Sequence, residues 1–203
     1  MNILCACLTL LSVVTTYTNS TYHTRCEEPV SAPASVANSI VDTLVYQFQT
    51  DPERLFDWAF VGTTLQGDKD KDAFQLVWKE NTYVPEENSS RLLFDVVVPG
   101  FTTFRDLVLE TALTDTFDTR GNRHARLDLH YSGNMLRVFN LTFSVLPVTH
   151  DSCTLILDGE VKFGWFFNMF ISRKVYRNVI EWRLQRFLLN VRRRAEGHYD
   201  QPA

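Results

Sequence analysis

The sequence predicts an α+β fold in which a seven-stranded antiparallel sheet is closed by a long C-terminal helix. Three observations carry that prediction. Six extended segments follow one another from residue 73 to residue 163, with turn residues between them. A β-prone stretch ahead of them ends in the helix-start signal Thr50-Asp51-Pro52-Glu53. After Gly164 the apolar period changes from that of a strand to that of a helix.

The chain opens on Ile3 to Val14, a 12-residue run without charge, followed by polar residues through Thr21. That length suits the apolar region of a signal peptide and is too short to span a bilayer as a helix. The small residues Thr18 and Ser20 place a cleavage point near Ser20, so residues 1–20 are read as a signal peptide and the mature chain as secreted or periplasmic. Cys5 and Cys7 would leave with it. Cys26 and Cys153 remain, either as one disulfide closing a long loop in an oxidising compartment or as two unrelated thiols. No CxxC pair points to a zinc ribbon or a thioredoxin-type centre.

Residues 21–39, rich in Pro, Ala, Ser and Glu, read as a linker. Ile40 to Gln49, with Val41, Leu44, Val45, Tyr46 and Phe48, reads as the first strand. Pro52 at the first helical position and Glu53 in the first turn start a short helix carrying Leu55, Phe56, Trp58, Ala59 and Phe60. Gly62 to Asp72 is a loop whose alternating Asp and Lys residues form a solvated turn. Strands follow at 73–84, 91–98, 103–113, 123–131, 135–148 and 153–163. Their short connections, such as Ser132-Gly133-Asn134, favour a meander of antiparallel neighbours over βαβ crossovers. From Trp165 to Glu196, Met169, Tyr176, Ile180, Leu184, Phe187, Leu188 and Val191 share one broad helical side, with Val175, Val179 and Trp182 on a second apolar flank. A helix of about 30 residues measures about 45 Å. Residues 197–203 are left as a tail.

The order β-α-β-β-β-β-β-β-α resembles the helix-grip fold of the START-like superfamily, also called Bet v 1-like, polyketide cyclase-like or SRPBCC. The strand running into a helix at Thr50-Asp51-Pro52-Glu53-Arg54-Leu55-Phe56 resembles the family's opening, and Gly164 to Glu196 its closing helix. The resemblance spans residues 40–196. It implies a curved sheet wrapped around the helix, with an apolar cavity between them that often takes lipids, sterols or other hydrophobic molecules. Some members are cyclases, dehydratases or hydrolases and others only bind, so fold alone does not choose a function. The Gly62 to Asp72 loop departs from members that carry a second short helix there.

With 45% hydrophobic and 13% aromatic residues, the chain is not disordered, and its net charge of −4 argues against a nucleic-acid binder. In the strand at 123–131, His124, Arg126, Asp128 and His130 occupy one face and Ala125, Leu127, Leu129 and Tyr131 the other. The two histidines stand roughly 20 Å apart along the strand, too far to share a metal, and no metal site is expected. Asp106 with Glu110, and Asp158 with Glu160 and Lys162, likewise face away from Leu107, Leu109, Leu155, Leu157 and Val161. If the apolar faces line the cavity the resemblance implies, its wall is built from Leu107, Leu109, Leu127, Leu129, Phe139, Leu141, Phe143, Ile180 and Leu184. Such a wall holds few groups able to transfer protons.

No Gly-rich phosphate loop, GxSxG or HExxH motif is present, and no cofactor is expected. The expected partner is therefore a hydrophobic small molecule or lipid, bound without catalysis; an enzyme using the same cavity and a ligand-free interaction module are the alternatives. Residues 165–203 carry eight Lys and Arg against three acids, a net of +5 that leaves −9 elsewhere. With Trp165-Phe166-Phe167 beside it, this helix has the composition for peripheral contact with an anionic membrane.

Overall fold

The computed structural model describes residues 12–61, 75–98, 100 and 102–198. Eight strands form one antiparallel sheet, β1 (Ser12–Thr18), β2 (Thr21–Val30), β3 (Gln75–Val84), β4 (Ser89–Val98), β5 (Thr102–Phe117), β6 (Arg123–Tyr131), β7 (Leu136–Thr149) and β8 (Ser152–Phe163). They are ordered β1-β2-β8-β7-β6-β5-β4-β3. Strands β3 to β8 match the expected meander. Helices α1 (Ala34–Thr50) and α2 (Pro52–Ala59) lie between β2 and β3.

The first third of the chain corrects the sequence reading. Thr21 to Ser39 is no linker: it holds β2 and the first turns of α1. The buried positions of β2 are Thr21, Tyr22, Thr24, Cys26, Glu28 and Val30. From Tyr22 onward they alternate, but Thr24 and Glu28 put polar atoms on the inward face and hide the pattern from hydropathy. Ile40 to Gln49 is helix, not strand. The buried α1 residues Ala37, Ile40, Val41 and Leu44 follow the three-and-four spacing of one helical face, which outweighs the β-branched content of the stretch. β2 therefore takes the opening-strand role, and β1 makes the count eight where seven were expected.

β1 and β2 form a tight hairpin with seven paired positions, from Thr18 facing Thr21 to Ser12 facing Glu27. Asn19 and Ser20 at its tip both have positive φ, 52° and 63°, the hairpin geometry that matches strand twist. Cleavage at Ser20 would thus cut the turn and remove β1. The other part of the expected signal peptide, residues 1–11, lies outside the described residues, as do the Gly62 to Asp72 loop and residues 199–203 of the tail.

The start of α2 follows the sequence signal: Asp51 accepts the Arg54 backbone N–H at 3.2 Å, and Pro52 occupies the first turn. The closing helix is shorter than expected. A four-residue turn, α3 (Trp165–Asn168), is separated from α4 (Arg173–Val175), where Ser172 caps the Val175 N–H at 3.2 Å. From there a π-helical segment, Tyr176–Glu181, and α5 (Trp182–Ala195) run on without a break. Gly164 permits the sharp exit from β8, since a Cβ there would sit 1.8 Å from the Asn134 carbonyl oxygen.

The core has two centres. The larger joins β2, β6, β7 and β8 to α1, α2 and α5 through residues such as Leu155, Leu157, Val145, Leu188 and Val191. The smaller gathers around Leu92, Phe94 and Val96 on β4. Helix α5 is tied to α2 by the Asn190 amide, which donates to the Ala59 and Val61 carbonyls at 3.1 and 2.8 Å.

Candidate functional site: the apolar face between the two core centres

Strand register decides which side chains line the inner face of the sheet. Leu107 and Leu109 on β5 stand opposite the buried Phe94 and Leu92. Across β6, β7 and β8, Leu127 faces Leu141 and Leu141 faces Gly159, while Ala125 faces Phe143 and Phe143 faces Leu157. Leu129 follows on the same side of β6, and Phe139 faces Val161. On the closing helix, Leu184 packs beside Phe187 and Leu188, while Ile180 lies in the π-helical segment that follows the fully buried Tyr176.

Burial then separates the nine expected wall residues. Phe143 is a core residue at 7% exposure, inside the larger centre. Leu141 and Leu184 pack against that centre from its edge, and Leu107 and Leu109 against the smaller one. Leu127, Leu129, Phe139 and Ile180 are half-buried and belong to neither. Leu127, Leu129 and Phe139 thus lie on the inner face of the sheet without being taken into either packed centre, while Ile180 belongs to the π-helical segment that runs beside β1.

The inner face also carries ionisable groups that the sequence reading missed. Arg123 begins β6 on the same side as Ala125 and is 4% exposed; Glu28 on β2 is 2% exposed. Arg123 donates to both Asp115 carboxylate oxygens and to the Asn38 carbonyl, and pairs with Asp42 at 2.7 Å. Glu28 pairs with Arg192, which also reaches Glu196 at 3.1 Å, while Glu28 Oε2 has no hydrogen-bond partner among the described residues. Extending the strand alternation by one residue would have found Arg123. Glu28 is out of reach of the sequence, because nothing in its surroundings marks residues 21–30 as a strand.

Near the start of the closing helix a polar chain crosses to the sheet. Tyr176 and Thr24 hydroxyls are 3.0 Å apart, Thr24 and Thr15 hydroxyls 3.2 Å, and Thr15 donates to Glu181 at 3.0 Å. Burial pushes the Tyr176 hydroxyl up to about 12, and its ring stacks on Tyr22 at 3.9 Å.

The disulfide reading is corrected. Cys26 faces Leu157 and Cys153 faces Val30 in the β2–β8 register. Four residues of strand separate them, about 13 Å at ~3.3 Å per residue, beyond the ~7 Å reach of a disulfide between Cα atoms. Both thiols are free and buried, and burial pushes Cys26 up to about 12 and Cys153 to about 11.

The outer face is polar, as the alternation predicted. Arg126 pairs with Asp128 at 2.8 Å and Arg25 with Asp158 at 2.9 Å, around a shallow depression of about 450 Å³ that includes His23, Asn140 and Glu160. Among the described residues no group of three His, Cys, Asp or Glu side chains is placed to hold a metal ion. No helix among them is long and apolar enough to cross a membrane.

No family model matches the sequence, and no curated protein matches it. Solved structures do match the fold. A START superfamily protein from Mycobacterium smegmatis superposes with a TM-score of 0.51 at 16% identity, covering 86% of this chain and 97% of its own. An uncharacterized protein from Bacillus thuringiensis superposes with a TM-score of 0.50 at 10% identity, covering 88% and 99%. The chain has the START-like, SRPBCC helix-grip fold: an antiparallel sheet closed by a C-terminal helix. Its particular form of that fold adds β1 to the sheet edge beside the opening strand.

Proposed function

We propose that the chain is a binding protein for a hydrophobic small molecule or lipid, held between the sheet and the closing helix. One observation carries the reading. Leu127, Leu129 and Phe139 are half-buried apolar side chains on the inner face of the sheet that join neither of the two core centres, which Phe48 of α1 bridges. Apolar surface left in contact with water on an inward face is a favourable place for an apolar ligand, since each methylene it buries stabilises the complex by about 0.8 kcal/mol. The START-like fold is consistent with such a site.

Binding without catalysis is favoured by the state of the inward ionisable groups. Arg123 is taken up by Asp115 and Asp42, and Glu28 by Arg192, so the pairs hold elements together. Export belongs to the same proposal and rests on the apolar run at residues 3–14.

The test is native mass spectrometry of the full chain purified without detergent, followed by organic extraction of anything released. A stoichiometric hydrophobic adduct is expected and would give its chemical class. A bare mass that stays unshifted by added fatty acids, sterols and polyketide-like aromatics would overturn the reading in favour of a ligand-free interaction module.

A further inference from the structure

We propose that the segment joining β8 to the closing helix is a docking face for an anionic lipid surface. Trp165, Met169 and Phe170 are 68%, 61% and 43% exposed, three large apolar side chains within six residues. Scattered exposed apolar residues are ordinary, but a contiguous group marks an interaction site. Their base is an aromatic cluster. Phe166 and Phe167 pack on Phe104 of β5 at 5.7 and 5.1 Å between ring centres, and Phe166 meets Trp165 at 5.9 Å and Phe170 at 5.3 Å.

Charge selects the partner. Residues 161–180 contain Lys162, Arg173, Lys174 and Arg177 and no Asp or Glu, a net of +4 in a chain of −4, which leaves −8 elsewhere. Arg173, Lys174 and Arg177 are exposed, and the Arg173 guanidinium lies over the Tyr17 ring at 4.3 Å. Exposed aromatic and Met side chains followed in the chain by three exposed cations have the composition of a bilayer-interface segment: the rings enter the headgroup boundary and the cations meet anionic headgroups. A second copy fits poorly, because a two-fold contact through this patch would set these cations against themselves. The face does not depend on what the inner groove holds.

The experiment is co-sedimentation of the full chain with vesicles of phosphatidylcholine alone and of phosphatidylcholine with phosphatidylserine, at low and raised salt. Binding to the phosphatidylserine vesicles is expected, weakening as salt rises. Arg173→Glu with Lys174→Glu should weaken it by at least about 25-fold, roughly fivefold per cation. Trp165→Ser with Phe170→Ser should weaken it about tenfold or more. Both variants should remain folded, with the unfolding midpoint lowered by no more than a few degrees for the Arg173–Tyr17 contact and the ring contacts to Phe166 that they remove. No binding to anionic vesicles, or binding unchanged by both variants, would overturn the proposal. So would lipid-free self-association that Trp165→Ser with Phe170→Ser abolishes, which would give the patch to a second copy.

Discussion

A pair of truncations separates an open inner groove from a filled core. Leu157 is 1% exposed and sits inside the larger centre, between Cys26 of β2 and Phe143 of β7. Leu157→Ala removes a fully buried isobutyl group from close-packed neighbours, so it should cost about 2–5 kcal/mol. Leu129 is also on the inner face, but it is half-buried and outside both centres. Complete burial of a leucine is worth about 1.5–3 kcal/mol, so Leu129→Ala should cost only about 1 kcal/mol, with no new cavity to add. In a chain of 203 residues each kcal/mol moves the unfolding midpoint by about 2–4 °C. The unfolding midpoint should therefore fall by about 4–20 °C for Leu157→Ala and by about 2–4 °C for Leu129→Ala. Leu129→Trp supplies the converse: it should leave the midpoint within a few degrees while occluding ligand. Equal losses from the two alanine variants, or a drop from Leu129→Trp as large as that of Leu157→Ala, would show a filled core and refute the groove.

Three further outcomes are expected. Cys26 and Cys153 should resist a thiol reagent at mildly alkaline pH until the chain is unfolded, and the mass under non-reducing conditions should show both thiols intact, because burial holds their pKa values near 12 and 11. Stability should fall as pH rises from about 10 toward 12: folded Tyr176 keeps a proton that the unfolded chain releases near its ordinary value of 10, so its contribution is complete below pH 10 and lost above it. Tyr176→Phe should flatten that alkaline decline in a pH series of unfolding midpoints. A chain starting at Thr21 loses seven paired positions of β1 together with the Thr15 contact to Glu181, and leaves β2 as the sheet edge. It should melt earlier and self-associate more than the full chain in size-exclusion chromatography; an unchanged profile would make β1 dispensable.

The antiparallel meander and the closing helix were legible in the sequence because their signals are local. Turn residues punctuate β3 to β8, and one face of each strand is apolar enough to stand out. The Asp51-Pro52 helix start was legible for the same reason, since a cap is a contact between residues three apart. Three features were not. β2 was hidden by Thr24 and Glu28, whose inward position makes sense only with Tyr176 and Arg192 from the far end of the chain. Helix α1 was misread because Val41, Val45 and their neighbours fit a strand by composition, whereas burial against the sheet chose the helical face. The strand residues of the wall follow from alternation and the cavity the resemblance implies, but alternation cannot tell Phe143, packed in a core centre, from Leu129, which joins neither.

The sequence by itself thus determined the order of β3 to β8 and the closing helix, and which face of β5, β6 and β8 is wet, since both follow from local chemistry. Tertiary structure decided what depends on distance between remote residues. It sets Cys26 four residues out of register with Cys153, turns Arg123 and Glu28 inward with their partners, and divides the apolar interior into two centres. Hydropathy records how apolar a side chain is; only packing records what stands next to it.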